Sequence, residues 1–230
     1  MSVSVSENIK IIVNGANGKM GRTTITAIAN EKDLQLVAAL NRGDDLIAAI
    51  KKNKADIVID WTTPDAVFDN TRKIIDAGAR PVIGTTGLTS EQIKIVSEQC
   101  AAKKIGGIIA PNFSVGAVLM MKYAQDAAKY FNDVEIIEYH HTHKKDAPSG
   151  TAKKTVELIS KTHHQKNIPI HSVRLPGIFA NQEVIFGGNN ETLTLQHNAI
   201  DRNAMMPGLF LCCRKVMELN QLIYGMEGFL

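Results

Sequence analysis

The sequence predicts an α/β protein: a parallel sheet covered by helices on both faces, with a smaller α+β unit carrying a mixed sheet inserted into it. Three observations predict this. Short apolar runs rich in β-branched residues alternate with amphipathic stretches from Ile9 to Asn112, the pattern of strands buried on both faces. A glycine turn, Gly15 to Gly21, joins the first apolar run to the first stretch of helical spacing. After Asn112 the strand-like stretches have one polar face, as an antiparallel or mixed sheet needs.

The elements follow in order. Ile9 to Val13 reads as a strand, and Met20, Ile25 and Ile28 fall at helical spacing after the glycine turn. Leu34 to Leu40 and Ala55 to Thr62 are the second and third strands. Thr63-Pro64-Asp65 opens a helix with proline in its first turn, running towards Ala77 and stopped by Gly78. "RPVIGTTG" is the fourth strand, "TSEQIKIVSEQCAAK" a helix with a Ser/Thr cap, and "IGGIIAPNF" the fifth strand. A helix from about Val115 to Tyr130 leads into "DVEIIEYHH", a strand in which Val134, Ile136 and Tyr139 form the apolar set. "HSVRL", "EVIFGG" and "ETLTLQHNAI" are three further strands, with Gly187-Gly188-Asn189-Asn190 between the last two. The segment from about Pro207 to Gly225 reads as a helix. At 230 residues the chain suits one larger and one smaller unit: residues 1–111 with 209–230, and an inserted 112–208.

Composition narrows the classes of partner. A net charge of +3, with lysine and arginine spread along the chain, lacks the dense basic stripe of a nucleic-acid binder. No apolar run approaches the length of a membrane span, and the N-terminus has no apolar signal region. The three cysteines, Cys100 and the adjacent Cys212 and Cys213, fit neither a disulfide framework nor a four-ligand zinc site. The expected location is cytoplasmic.

Gly15-Ala16-Asn17-Gly18-Lys19-Met20-Gly21 has the spacing that a pyrophosphate requires: a tight turn, a backbone the ligand can approach, and N–H groups at a helix start. Met20 stands where a phosphate-binding P-loop would need Ser or Thr for magnesium. A dinucleotide remains. The second strand ends in Asn41 and Arg42, with Asp44 and Asp45 only further on; a basic residue there suits a 2′-phosphate, so NADPH is expected to be accepted at least as well as NADH.

"EYHHTHKKDAPSGTA", Glu138 to Ala152, supports three readings. In a strand His141 and His143 would share a face and could hold a metal, but His140 would point away, and no H-E-x-x-H or cysteine pair completes the set. A charge-rich exposed loop is the second reading. The third is a seat for an anion with proton transfer: Ser149-Gly150-Thr151 precede a helical run, Ala152 to Ser160, whose N–H groups could hold a carboxylate, with Lys144 and a histidine beside them.

Together with "GANGKMGR", "VIGTTG" and "APNFSVG", this stretch resembles the dihydrodipicolinate reductase (4-hydroxy-tetrahydrodipicolinate reductase) family. These enzymes reduce a cyclic dicarboxylate in diaminopimelate and lysine biosynthesis with NADPH or NADH. The motifs keep the family's order from Gly15 to Ala152, and weaker similarity continues to the end of the chain. The resemblance implies a Rossmann-type dinucleotide-binding domain, an inserted substrate domain and a homotetramer, with no metal. It makes His140 the proton donor or acceptor and Lys144 the second proton donor. His141, Gly150 and Thr151 match residues that hold the substrate's carboxylates. Gly15, Ala16, Asn17, Gly18, Lys19 and Met20 match the pyrophosphate loop, and Arg42 a residue near the adenosine ribose. Gly84, Thr85, Thr86 and Ala110, Pro111, Asn112, Phe113 match two segments bordering the nicotinamide. The cofactor motifs alone would also fit a reductase of another oxo or imino substrate; "HHTHKKDAPSGT" is what discriminates.

The chain departs from the family's pattern in three places. Many members carry an acid where Asn41 stands. An R-x-G-x-x-x-G-x-H pattern is replaced by Arg174-Leu175-Pro176-Gly177 followed by Glu183, and the connection between the second and third strands is shorter. His163, His164 and His171 are expected at the surface, His197 in a structural role, and Trp61 packed near the cofactor residues.

Overall fold

The computed structural model describes residues 8–164 and 167–230. Two compact units divide it: Met1–Phe113 with Gly208–Phe229, and Ser114–Pro207 with Leu230. In the first, the chain runs β1 (Ile9–Asn14), α1 (Lys19–Ile28), β2 (Leu34–Leu40), α2 (Leu46–Asn53), β3 (Ile57–Asp60), α3 (Val67–Asp76), β4 (Arg80–Ile83), α4 (Ser90–Lys103) and β5 (Gly107–Ile109). The second unit contains α5 (Val115–Ala127), β6 (Asp133–His140), α6 (Gly150–Ile159), β7 (Ile170–Arg174), β8 (Ala180–Gly187) and β9 (Thr192–Ala199). Helix α7 (Met206–Lys215) then leads to β10 (Leu222–Tyr224), the last strand of the first unit's sheet.

That sheet is parallel throughout, in the order β10-β5-β4-β3-β1-β2. Ile11, Ile12, Val13, Ile57, Val58, Ile59, Val82 and Ile83 are fully buried, which explains why their strands are continuous apolar runs. Each such side chain contributes about 1.5–3 kcal/mol relative to exposure. Strand β2 lies at the edge and only its end residues, Leu34 and Leu40, are buried. Because β2 and β3 lie on opposite sides of β1, the strand order reverses at β1, and the carboxyl ends of β1 and β3 form the crevice where open α/β sheets take ligands.

In the second unit the sheet order is β7-β6-β8-β9, with β6 and β7 parallel and the other pairs antiparallel. Val134, Ile136, Val184 and Phe186 turn inward, and on the same face α5 and α6 contact each other and α5 contacts β8 and β9. Strand alternation places Glu138 and Gln182 on that inward face as well, both buried.

Several elements differ from the sequence expectations. Helix α3 begins at Val67; residues 64–66 form a turn in which the Ala66 and Val67 N–H groups both donate to the Thr63 carbonyl. Helix α2 follows the Asp45 cap, in a stretch where no helix was expected. Helix α5 stops at Ala127, and α6 starts at Gly150, two residues earlier than expected. The expected C-terminal helix ends at Lys215 and gives way to a short 3-10 turn and β10. Tyr139 lies opposite in parity to Val134 and Ile136, so it is on the outward face. Leu230, whose backbone oxygen accepts from Lys122 Nζ, groups with the second unit. Among the described residues, no helix is long and apolar enough to cross a membrane.

Candidate functional site

In the first unit, chain and sheet geometry converge on the carboxyl ends of β1, β3 and β4. The Gly15 and Ala16 N–H groups both donate to the Leu40 carbonyl, which folds the glycine turn back over the end of β2. Gly15 has φ +85°, and a Cβ there would lie 2.4 Å from the Trp61 carbonyl oxygen; only glycine fits both the conformation and the space. A Cβ on Gly21 would lie 2.3 Å from the Gly15 oxygen. The first turn of α1 has Gly18 as N-cap with no side-chain cap bond, so its N–H groups are available to an anion. These features fit a pyrophosphate.

Two hollows adjoin the turn, sharing Gly18, Trp61 and Thr62. One, of about 790 Å³, is lined by Gly15, Asn41, Arg42, Asp65 and Lys73 among others. The second, of about 410 Å³, is lined by Lys19, Met20, Gly84, Thr85 and Thr86. Ala110 and Phe113 are buried nearby in the sequence order of the sheet, the Ala110 N–H bonded to the Ile83 carbonyl and the Phe113 ring edge-on to Trp61 at 5.6 Å. Pro111 is exposed and Asn112 half-buried.

Asn41 accepts the Asn17 N–H through Oδ1 at 2.8 Å and so braces the glycine turn. The acids that follow it are engaged locally: Asp44 accepts from the Asn41 N–H at 2.7 Å and Asp45 caps α2 through the Ala48 N–H at 3.0 Å. Arg42 is left exposed at the rim of the larger hollow.

Asp60 was not singled out from the sequence. Fully buried at the end of β3, its carboxylate accepts from Asn14 Nδ2 (3.0 Å), Asn70 Nδ2 (3.1 Å), the Thr62 N–H (3.0 Å) and hydroxyl (2.7 Å), and the Thr85 hydroxyl (2.6 Å). It ties the ends of three neighbouring strands together under the residues that line both hollows. Trp61, next to it, donates from Nε1 to the Thr24 hydroxyl at 3.0 Å and lies against Gly84, where a Cβ would be 1.9 Å from Cζ3.

In the second unit the residues gather at the end of β6. The strand stops at His140, so His141 and His143 lie in the following turn and do not share a strand face; their rings are 6.3 Å apart. Among the described residues, no group of three His, Cys, Asp or Glu could hold a metal ion. The Lys144 N–H donates to the His141 carbonyl at 3.1 Å, closing the turn, and Lys144 Nζ grips the Asp146 carboxylate at 2.8 and 2.9 Å.

Glu138 is the organiser that sequence reading missed. It is fully buried and accepts two bonds from Arg174, at 2.7 and 3.0 Å, one from the Ser149 N–H at 3.3 Å, and one from His140 Nδ1. Burial pushes the Glu138 carboxyl up, but Arg174, Ser172 and His140 together outweigh it and hold the group below the usual carboxylate value. Burial pushes the His140 imidazole below its ordinary 6.5; the pull of Glu138 in the other direction is outweighed, and Lys144 and Arg174 add to the downward shift. Arg174 Nη1 and Nη2 also reach the Val173 and Asp146 carbonyls, both at 2.8 Å.

Helix α6 begins beside this group. Ser149, its buried N-cap, accepts the Ala152 N–H at 3.2 Å. Gly150 is exposed, and a Cβ there would meet nothing within 4 Å, so the backbone at this helix start is open to approach; Thr151 follows, half-buried. His141 is half-buried and His143 exposed. His197 donates or accepts at the buried Ser114 hydroxyl, 3.0 Å away, a structural position. His163, expected at the surface, is half-buried and bonded to the Phe131 carbonyl at 2.9 Å, whereas His171 is exposed beside Glu135.

Family models described as dihydrodipicolinate reductase, N-terminus and C-terminus, match residues 9–113 and 116–230. The chain belongs to the dihydrodipicolinate reductase family. It is 56% identical over 237 residues to the 4-hydroxy-tetrahydrodipicolinate reductase of Coxiella burnetii (strain Dugway 5J108-111), covering 96% of this chain and 99% of that one. The enzyme of the same name from Legionella pneumophila (strain Philadelphia 1) is 50% identical over 242 residues, with 96% and 99% covered. Among solved structures, a dipicolinate-bound dihydrodipicolinate reductase from Paenisporosarcina sp. TG-14 aligns with a TM-score of 0.89 at 39% identity, over 97% of this chain and all of that one. As a member of the reductase family the chain is an oxidoreductase of diaminopimelate and lysine biosynthesis that uses a nicotinamide cofactor.

Proposed function

We propose that this chain reduces 4-hydroxy-tetrahydrodipicolinate to tetrahydrodipicolinate, with His140 and Lys144 handling the protons and His141, Gly150 and Thr151 holding the substrate's carboxylates. The observation that carries the reading is the grouping at the end of β6: an imidazole, an ammonium and an exposed glycine helix start, assembled on one buried acid. The dipicolinate in the Paenisporosarcina relative is a cyclic dicarboxylate of the kind such a seat would take.

The nicotinamide, when bound, supplies a hydride. The Gly15–Met20 turn would hold its pyrophosphate, Arg42 would face the ribose end, and Gly84, Thr85, Thr86 and Ala110–Phe113 would border the nicotinamide. Arg42 at the rim of the larger hollow, with Asp44 and Asp45 bonded to local backbone, supports NADPH being used at least as well as NADH.

The chain's own residues provide the proton chemistry. Lys144 is an ammonium with donors and no acceptor, and the Asp146 carboxylate fixes its direction. His140, whose burial favours the uncharged imidazole, offers Nδ1 to Glu138 and leaves Nε2, on the opposite side of the ring, to take or return a proton. The α6 start adds the positive end of a helix dipole for a carboxylate. Holding the ring at two carboxylates contributes by positioning as well as by binding.

His140→Gln and Lys144→Ala test the assignment. Each is expected to lower kcat by roughly 10²-fold or more, with cofactor affinity nearly unchanged, when NADPH consumption is followed with the condensation product of pyruvate and aspartate semialdehyde. Wild-type turnover in either variant removes that residue from the reaction.

A further inference from the structure

We propose that Glu138 is a positioning residue for this reaction: its carboxylate holds His140 with the ring proton on Nδ1, so that Nε2 is the nitrogen that exchanges a proton, and Arg174 holds Glu138 to that task. The inference rests on the reading of His140 as a proton-exchanging residue.

Val134, Ile136, Glu138 and His140 lie on one face of β6, and the position of Glu138 between a fully buried isoleucine and the imidazole is one that an apolar side chain could fill. Burying an ion pair there is no gain over well-packed hydrophobic residues, because desolvation offsets the attraction. What the carboxylate provides and an apolar residue cannot is an acceptor aimed at Nδ1.

The rest of the surroundings leave it no other orientation. Both Arg174 arms and the Ser149 N–H occupy the other acceptor directions. An ionised carboxylate only accepts, so the nitrogen facing it must carry the proton. Register supplies the partner: β7 pairs with β6 so that Arg174 stands opposite His140, and the Leu175 N–H donates to the His140 carbonyl at 3.0 Å. The same guanidinium reaches the Asp146 carbonyl, whose residue grips Lys144. One cation therefore sets both proton-handling side chains. The charged and titratable groups facing His140 are Glu138 on its own strand, Arg174 on β7, and Lys144 and Asp146 on the following loop; β8 presents Ala180 opposite it.

Glu138→Gln separates positioning from packing. The amide keeps the size but places an NH₂ at one of the two oxygen positions. On one side it meets Arg174 and the Ser149 N–H, donor against donor; on the other it donates to Nδ1 and forces the proton onto Nε2. The expected result is a kcat lower by about 10²-fold or more, as for a buried carboxylate that orients a catalytic imidazole, with cofactor Kd within about twofold. With the carboxylate's upward pull on His140 removed, the acid limb of kcat/KM against pH moves to lower pH; a packing defect alone would lower the profile without moving it. Because Glu138 acts through His140, the double variant Glu138→Gln/His140→Gln should be no slower than His140→Gln alone.

Imidazole ¹⁵N chemical shifts of the wild-type protein, with the His140 signals assigned by their loss in His140→Gln, read the tautomer without relying on the Glu138 variant folding. Neutral His140 protonated on Nδ1 is expected. A proton on Nε2, or losses that multiply in the double variant, overturns the proposal. If His140→Gln itself retains wild-type turnover, the reading of His140 falls; if it is slow while Glu138→Gln is fast, only the positioning role falls.

Discussion

Gly84→Ala tests how the loop after β4 is built. A Cβ at residue 84 would lie 1.9 Å from Cζ3 and 2.4 Å from Cη2 of Trp61, against the roughly 3.5–4.0 Å of an ordinary carbon contact. The loop is anchored on both sides, with the Gly84 and Thr85 N–H groups donating to the Asp60 carbonyl at 3.1 and 3.2 Å, so the indole is what must move. Moving it breaks the Nε1–H bond to Thr24, 3.0 Å, and the edge contact with Phe113 at 5.6 Å between centroids. The first is worth about 1 kcal/mol and the second about 0.5–1.5 kcal/mol. Part is returned, about 0.4–1 kcal/mol, because alanine restricts the unfolded chain more than glycine does. A net loss of about 1 kcal/mol lowers Tm by roughly 2–4 °C in a chain of this size. Trp61 is the only tryptophan, so its emission reports the displacement directly, and a cofactor titration of the same fluorescence reads the effect on binding. A variant with wild-type Tm, emission and cofactor affinity would show that the indole does not brace this loop.

Other outcomes follow from the same geometry. Arg42→Ala is expected to lower kcat/KM for NADPH by roughly 10- to 150-fold while leaving NADH within about twofold, since one charge-assisted contact to a phosphate is worth about 1.5–3 kcal/mol; equal losses for the two cofactors would separate Arg42 from the 2′-phosphate. Arg214 donates to Asp33 at 2.7 and 2.8 Å, and its hydrogen bond holds the Asp33 carboxyl below its ordinary 3.8, against a smaller upward push from burial. The pair is partly exposed, so Arg214→Ala should cost about 1 kcal/mol at neutral pH. A depressed carboxyl stabilises above its unfolded value and loses that stabilisation as pH falls through the folded one. Urea midpoints of the two proteins should therefore differ from pH 7 down to about 4 and converge below it. Cys100, Cys212 and Cys213 are fully buried, and burial pushes the Cys100 thiol to about 11, the Cys212 thiol to about 12, and the Cys213 thiol up as well. Iodoacetamide at pH 8 should label none of them in the native protein and all three in denaturant, as counted by mass spectrometry; rapid native labelling would contradict this packing.

The sequence and the fold agree most closely where burial is on both faces. β3 is buried throughout, and β1 and β4 are buried beyond their first residues, Ile9 and Lys10 in β1 and Arg80 in β4, so each contains an unbroken run of buried residues with no polar face. Short elements were harder to see. Three residues of β10 follow a helical pattern and pair only with β5, a partner more than a hundred positions earlier that no local period can reveal. Helix α2 depends on the Asp45 cap and two buried residues, Leu46 and Ile50, among charged neighbours. The site was legible as a motif but not as a network. Glu138 read as the polar member of an alternating strand, although its parity with Val134 and Ile136 already placed it inward. Asp60 lay inside the expected third strand, Ala55 to Thr62, with no role assigned to it, and Arg174, known only as a departure from the family pattern, acquires its partners through the register of β6 and β7.

Strand β10 also has a consequence for how the chain is made. Among the described residues it is the only strand that pairs along the outer side of β5, and roughly a hundred residues separate the two, about 5–20 s of synthesis at ordinary elongation rates. During that interval the four strands of the inserted unit, contiguous in the chain, are complete while the parallel sheet still has an open apolar border at Gly107–Ile109. The nascent protein therefore passes through a stage at which its cofactor-side sheet is vulnerable to wrong pairing, and a nascent-chain series ending before and after Leu222 should differ sharply in protease resistance at β5.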